Sequence, residues 1–83
     1  MEHLATKVRK LREIYGFSQE SVAFEMGISQ AAYSKKETGQ TELSLNCLEK
    51  LANIYKLSIM EIISLSTQEL LMLVIQKDTK ATA

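Results

Sequence analysis

The stretch SQESVAFEMGISQAAYSKKETG, which begins at Ser18, constrains the fold more than any other part of the sequence. Ser18 and Ser29 each precede a short helical pattern as N-cap residues, and Gly27 stops the first of the two patterns. Two helices that cross steeply need a small residue at the crossing and, in the turn, a residue that accepts positive φ. Ala23 and Gly27 meet these two needs. The sequence therefore predicts a helix-turn-helix over residues 18–37.

Helical spacing continues on both sides of this stretch. Gly16 ends an amphipathic first helix, and Ser44 caps a fourth helix that carries a regular apolar stripe. The apolar face of the first helix consists of Leu4, Val8, Leu11 and Tyr15. Two further helices open at Ser58 and Ser66, each with a glutamate three residues later that completes a capping box. No strand pattern competes with these helices, so the predicted fold class is all-α.

The composition fits one small globular domain and argues against enzyme chemistry. The chain has 83 residues, of which 46% are hydrophobic and 24% charged. It has one histidine, one cysteine and no metal-ligand spacing, so we expect no catalytic residue, no cofactor and no metal. The amphipathic N-terminus lacks the apolar core of a signal peptide, and the longest apolar run, LLMLVI, is too short to span a bilayer. We therefore expect a cytoplasmic protein without a membrane partner.

Five short motifs follow one another between residues 4 and 65. They are LRE shortly before a glycine, SQE at the start of the second helix, Gly27-Ile28-Ser29 at the turn, Glu37-Thr38-Gly39 after the third helix and LEKLA in the fourth. In this order and at these distances, the motifs resemble the lambda-repressor/Cro-like family, also called Xre-type regulators. The resemblance implies a five-helix DNA-binding domain over residues 1–65 whose third helix enters the major groove. Here an additional C-terminal apolar helix would follow it.

The resemblance also implies which residues contact DNA. The third helix would face base edges, Gln19 would meet a backbone phosphate, and the loop after the third helix would offer amides and polar side chains to the other strand. The expected DNA-binding residues are Gln19, Ser29, Gln30, Ala31, Ser34, Lys35, Thr38, Gln40 and Thr41. The chemistry of these residues agrees, since glutamine bonds adenine, lysine bonds guanine and alanine contacts the thymine methyl group. In such families Arg12 and Glu37 form a partly buried structural ion pair.

The charge of the chain is unusual for a DNA-binding domain. Ten Lys and Arg residues balance ten Asp and Glu residues, and the two halves, 1–40 and 41–83, carry net charges of only +1 and −1. Electrostatic attraction to DNA is therefore expected to be weak, with few counterions released on binding. Helix amino ends, which present unpaired N–H groups and a positive dipole end, would supply part of the attraction. We expect low non-specific affinity, with specificity resting on base contacts.

Four residues depart from the family pattern or lack an obvious role. Lys36 stands where the family has an aliphatic residue, and we expect its stem to cover the core edge while its ammonium reaches solvent or a DNA phosphate. Tyr33 is expected in the core with its hydroxyl at the surface. Phe24 is expected to pack partly against a neighbour, with a functional patch as the alternative. Cys47 is expected to be a small buried residue.

The C-terminal residues 66–78 form a predicted dimerisation segment, and residues 79–83 a predicted disordered tail. Six consecutive apolar residues, wound as a helix, would give two apolar faces. One face would cover the domain's own core near Tyr55 and Ile59–Ile63, and the other would need a two-fold partner. The expected interface residues are Leu70, Leu71, Met72, Leu73, Val74 and Ile75. The alternatives are that the segment only folds back onto the monomer or pairs as a short strand.

Together these patterns favour sequence-specific binding of double-stranded DNA by a small dimeric transcriptional regulator, most simply a repressor. A two-fold homodimer would place its recognition helices about 34 Å apart on a palindromic operator. The alternative is an antitoxin or adaptor whose main partner is another protein, such as a toxin. Phage, restriction–modification, toxin–antitoxin and host regulators share this size and fold, and the sequence does not choose among them.

Overall fold

Six α-helices make up the described part of the chain, and no strand occurs in it. The computed structural model describes the backbone of residues 3–82 and the side chains of residues 3–77, so residues 1, 2 and 83 lie outside it. The helices are α1 (Leu4–Tyr15), α2 (Gln19–Met26), α3 (Gln30–Glu37), α4 (Leu45–Tyr55), α5 (Ile59–Ser64) and α6 (Thr67–Thr82). The predicted all-α class is confirmed, with five helices of the predicted domain followed by a sixth.

Serine hydroxyls start the helices where the sequence predicted them. Ser18, Ser29, Ser44 and Ser58 each accept a hydrogen bond from the N–H group three residues later. Ser58 and Glu61 also complete the predicted capping box, and the same pair of bonds opens α6. These bonds satisfy first-turn N–H groups that have no acceptor within their own helix. The helix starts are therefore fixed by local side-chain chemistry.

Left-handed backbone ends three of the helices. Gly16 (φ 72°) ends α1 and Gly27 (φ 74°) ends α2, as the sequence predicted. Lys56 ends α4 in the same conformation, with φ 58°. A side chain in this region costs roughly 1 kcal/mol relative to glycine. Nothing in the sequence signalled this helix end, because lysine does not favour the left-handed region.

A single core lies between the helices. Helix α1 contacts α3, α5 and α6, while α4 contacts α2 and α5. The buried apolar residues are Val8, Leu11, Val22, Ala23, Met26, Tyr33, Leu48, Leu51, Ala52, Tyr55, Leu57, Ile62, Leu70 and Val74. Every helix contributes at least one of them. The core therefore fixes α2 and α3 against the rest of the domain and leaves one side of α3 free.

Helix α6 packs against α1 rather than mainly against α5, which corrects the predicted position of the segment. Leu70 and Val74 are buried in the protomer's own core and Leu73 packs against it, so these three residues are not a free surface for a partner. The outward residues of the run are Leu71, Met72 and Ile75. The helix continues through residues 79–82 of the predicted disordered tail, since no glycine or proline interrupts it. No helix in the described part is long and apolar enough to cross a bilayer.

A buried lysine that the sequence did not single out joins α1 to α5. Lys7 is almost fully buried, and its Nζ atom donates a hydrogen bond of 2.7 Å to the carbonyl oxygen of Ile63. This carbonyl lies in the last turn of α5, where helix carbonyls have no partner within the helix. Lys7 therefore satisfies the end of α5 from inside the fold. Lys7 does not belong to the apolar face that the helical spacing predicted for α1.

Candidate nucleic-acid interface

The turn between α2 and α3 has the geometry that the sequence predicted. Gly27 adopts positive φ, and the N–H of Ile28 donates to the carbonyl of Ala23 at 3.1 Å. Ala23 is buried where α2 crosses its neighbours, and Ser29 begins α3 directly after the turn. A larger residue at Ala23 would push the two helices apart. The helix-turn-helix is therefore a rigid unit that holds α3 in a fixed direction.

Helix α3 has one buried face and one exposed face. Tyr33 and Glu37 point into the domain and are buried. Gln30, Ala31 and Lys35 are exposed and Ser34 is half-buried, and these four predicted DNA-binding residues share the outer side of the helix. Ser29 is also exposed, but its hydroxyl caps the helix by accepting the N–H of Ala32. The outer face presents an amide, a methyl group, a hydroxyl and an ammonium group.

The loop after α3 differs from the expectation in one respect. Its N–H groups do not point outward, because those of Gln40 and Thr41 donate to the carbonyl of Lys35 at 2.9 and 3.3 Å. Thr38 uses both its N–H and its hydroxyl to bond the carbonyl of Ser34. The exposed side chains of Gln40 and Thr41 therefore remain as the outward polar groups of this loop.

Arg12 and Glu37 form the predicted ion pair. The Nε atom of Arg12 lies 2.6 Å from Oε2 of Glu37, and Nη2 of Arg12 lies 3.2 Å from Oε1. The Arg12 side chain is 14% exposed and the Glu37 side chain 1% exposed. Arg12 also donates to the carbonyl of Phe17 at 2.8 Å. The guanidinium therefore bridges the end of α1, the segment before α2 and the last residue of α3.

The side chain of Gln19 belongs to the same cluster. Its Nε2 atom donates to Oε1 of Glu37 at 3.0 Å, whereas the resemblance had placed Gln19 at a DNA phosphate. This bond was missed because it depends on how the start of α2 approaches the end of α3. The sequence signal for it was a polar residue in the first turn of α2, in a helix-turn-helix whose Glu37 the resemblance had already placed in an ion pair.

Burial and hydrogen bonds act in opposite directions on the Glu37 carboxyl. Burial alone would raise its pKa, but hydrogen bonds from Arg12 and Gln19, together with the neighbouring Tyr33 hydroxyl, lower the pKa below the usual value. The Tyr33 hydroxyl is itself buried, which corrects the expectation that it reaches the surface. It lies beside Glu37 without completing a hydrogen bond of ordinary geometry, and burial together with that carboxylate raises the pKa of Tyr33. Glu37 is thus an ionised group held inside the domain.

Lys36 and Cys47 lie near each other at the start of α4. Lys36 is half-buried, and its Nζ atom donates to the carbonyl of Glu42 at 3.3 Å, so its ammonium turns toward the loop before α4. Cys47 is half-buried rather than buried. Burial would raise the pKa of its thiol, but a hydrogen bond from Ser44 and the charge of Lys36 lower it on balance. The departure at Lys36 therefore changes the chemistry of a neighbouring thiol.

Phe24 does not pack against a neighbour. It is 81% exposed and lines a groove between α2 and α4, which overturns the expectation of partial packing. The helical spacing of Phe24 places it on the side of α2 that faces away from Ala23 and Met26, which are buried.

Among the described residues, no group of three His, Cys, Asp or Glu side chains could hold a metal ion.

Comparison with known proteins agrees with this geometry. The Helix-turn-helix family matches residues 8–62, more than half of the chain. The chain is also similar to an SPbeta prophage-derived uncharacterized HTH-type transcriptional regulator, YonR, of Bacillus subtilis strain 168. It is 38% identical to that protein over 52 residues, which cover 63% of this chain and 48% of the relative. The chain thus spans about half the length of the curated relative it matches. No solved structure matches the chain.

The fold and the exposed face of α3 are those of a helix-turn-helix protein. The chain belongs to the helix-turn-helix family, in its Xre or lambda-repressor-like group. That family consists of DNA-binding regulators and is not typically enzymatic.

Proposed function

We propose that this protein binds double-stranded DNA sequence-specifically as a homodimeric transcriptional regulator, most simply a repressor, with α3 in the major groove. One observation carries the proposal, namely the difference between the two faces of α3. Tyr33 and Glu37 anchor the inner face, while Gln30, Ala31 and Lys35 are exposed on the outer face. Amide, methyl and ammonium groups are the ones that read base edges in the major groove. Ser34, half-buried on the same side, adds a hydroxyl that suits any base.

Backbone contacts would place α3 in register. The first turn of α2 offers main-chain N–H groups, including that of Gln19, to one phosphate, because such groups lack an acceptor inside the helix. The side chains of Gln40 and Thr41 would contact the other strand, and Thr38 and Ser29 mainly shape the two ends of α3. Because the chain carries no net charge, its affinity for DNA should depend only weakly on salt.

The dimer is proposed to form through the outer face of α6. Leu71, Met72 and Ile75 are 40, 54 and 48% exposed, which is high for three apolar residues within two turns of one helix. Met60 and Ile63 of α5 are exposed as well. A two-fold axis at this face would set two copies of α3 about one DNA turn apart, over a palindromic operator. Two half-sites bound together would offset the weak attraction of each neutral domain.

A second candidate function is binding of a protein partner such as a toxin. The observation that favours it is the exposed Phe24, which lies beside a groove that Phe17 and Ile54 also line. A large exposed aromatic residue is typical of interface centres. In this case Phe24→Ser should abolish complex formation with a partner encoded nearby and leave operator binding unchanged.

Selection of bound sites from random DNA, followed by titration at two salt concentrations, tests the main proposal. We expect one enriched palindrome whose half-sites lie about one helical turn apart, and a preference over unrelated DNA of at least about a thousandfold. Enrichment of no sequence would contradict the proposal. Enrichment of a single half-site would contradict the dimeric part of the proposal.

We also propose that the protein is located in the cytoplasm, together with the DNA that it binds.

A further inference from the structure

Gln19 and Glu37 join two ends of the helix-turn-helix that are far apart in sequence. Gln19 is the first residue of α2, and Glu37 is the last residue of α3. The opposite ends of the same two helices are joined by the turn at Gly27 and Ile28. The pair of helices is therefore held at both ends, once through the chain and once through the side-chain bond of 3.0 Å.

The chemistry of Glu37 explains why this bond has a fixed direction. An ionised carboxylate only accepts hydrogen bonds, so the amide nitrogen of Gln19 must face it. Oxygen Oε1 accepts from both Gln19 and Arg12, while Oε2 accepts from Arg12 alone among the bonds of this cluster. The Glu37 side chain is almost completely buried, so water cannot easily replace a lost donor. Loss of Gln19 would leave Oε1 with a single donor and allow the end of α3 to shift.

We propose that the side chain of Gln19 is a positioning residue for sequence readout rather than a phosphate contact. It fixes the angle between α2, whose first-turn N–H groups hold a phosphate, and α3, which carries the base-reading side chains. The inference rests on the proposed function and deepens it. A small rotation of α3 moves Gln30 and Lys35 relative to base edges but leaves the phosphate anchor in place. Gln19 therefore contributes to discrimination between sequences and little to general affinity for DNA.

The experiment compares the dissociation constants for the selected operator and for unrelated DNA of the same length and salt concentration. The variants are Gln19→Ala and Gln19→Met, the second of which keeps the length of the side chain but cannot donate. Both should lower the ratio of specific to non-specific affinity about five- to tenfold and change non-specific affinity less than about twofold. The matched control is Asn53→Ala, an exposed amide on α4 outside both the Glu37 cluster and the outward face of α6, which should leave both dissociation constants unchanged.

Loss of stability alone does not imitate this result. A variant that is partly unfolded loses affinity for both DNAs by the same factor, so the ratio stays constant. If Gln19→Ala weakens both DNAs equally, or leaves the ratio unchanged in a folded protein, the inference is wrong. A wild-type protein that prefers no sequence would instead contradict the proposed function itself, so the two failures are distinguishable.

A swap of the amide and the carboxylate provides a second, independent test. Gln19→Glu alone places two carboxylates together and should reduce the ratio strongly. The double variant Gln19→Glu with Glu37→Gln again has one carboxylate and one amide beside Arg12. It should recover part of the lost ratio. If the Gln19 side chain contacted a phosphate, the carboxylate that Gln19→Glu introduces would repel DNA whatever residue stood at position 37. A double variant no better than Gln19→Glu alone would therefore overturn the proposal.

Discussion

The Nε atom of Arg12 lies 2.6 Å from the Oε2 atom of Glu37, and this contact joins the last turn of α1 to the last residue of α3. It is the one ion pair found among the described residues. Surface ion pairs contribute little to stability, but this carboxylate is buried and cannot regain water when its partner is removed. We therefore expect the pair to contribute to the stability of the domain and to the position of α3.

Arg12→Ala should reduce the free energy of unfolding by about 1–3 kcal/mol or more, because Glu37 would stay buried without its strongest partner. Urea denaturation followed by circular dichroism measures this change. Arg9→Ala is the matched control, since Arg9 is exposed on the same helix, and it should change stability by less than about 0.5 kcal/mol. An unfolding curve of Arg12→Ala that superimposes on the wild type would contradict the structural role of the pair.

The stability of the domain should fall on acidification, in part through Glu37. Although burial alone would raise its pKa, the bonds from Arg12 and Gln19 and the adjacent Tyr33 hydroxyl lower the pKa in the folded state. The unfolded chain then binds a proton at higher pH than the folded chain does. The contribution of Glu37 is therefore complete above its unfolded pKa of about 4.3 and is lost as pH falls through the lower folded pKa.

Thermal unfolding of wild type and Glu37→Gln between about pH 7 and about pH 2 checks this prediction. The wild type should be the more stable protein at neutral pH, and the difference should shrink in the acid range. A difference that stays constant across the range would show that Glu37 has the same pKa in both states.

Lys36→Leu should raise the free energy of unfolding by up to about 1 kcal/mol, because leucine buries more apolar area at this half-buried position. The bond lost, from Nζ to the carbonyl of Glu42, is long at 3.3 Å and exposed. A clear loss of stability would mean that the ammonium group makes a stronger contact than this one. The same variant should slow alkylation of Cys47 at neutral pH, since the charge of Lys36 helps to lower the pKa of that thiol.

Features set by neighbouring residues were predictable from the sequence. The caps at Ser18, Ser29 and Ser44 and the stops at Gly16 and Gly27 depend on local backbone geometry, and all of them lie where expected. The ion pair was also found, but only because the chain resembles a family in which both positions are known to pair. Local chemistry and resemblance together were therefore enough for the architecture.

Features set by the approach of distant helices were not predictable in the same way. The direction of the Gln19 amide, the burial of the Tyr33 hydroxyl and the bond from Lys7 to Ile63 each depend on a distance between helices. The expectation for Phe24 was wrong because an apolar side chain on α2 was expected to pack against a neighbouring helix, and no helix lies over it. These residues are the ones for which the structure changed the interpretation.

Gln30→Ala and Lys35→Ala should each weaken binding to the selected operator by about 1–3 kcal/mol and relax the preference at one base pair. Both side chains are exposed on α3, so neither change should alter thermal stability much. Asn53→Ala, at an exposed position of α4, is the control and should bind the operator as the wild type does. If the two α3 variants lose affinity equally on every DNA, α3 is not the element that reads sequence.

The proposed dimer needs a test that leaves the monomer folded. Deleting everything after Leu65 would remove Leu70 and Val74, which belong to the core against α1, so such a truncation would unfold the domain before it reported on association. Met72 offers a cleaner position. It lies on the outward side of α6 and is 54% exposed, so a charged residue there can be solvated in the monomer but not inside an apolar interface.

Met72→Glu should therefore weaken the dimer at least about tenfold, since a carboxylate and its two-fold mate would both lose water at the interface. Sedimentation velocity at micromolar concentration measures the association, and operator titration should show a matching loss on the full palindrome but not on a single half-site. Asn53→Glu introduces the same charge at an exposed position of α4, away from the outward face of α6, and should sediment as the wild type. A Met72→Glu variant that dimerises normally would show that the dimer forms through another surface. A wild-type protein that sediments as a monomer would show that no such dimer forms.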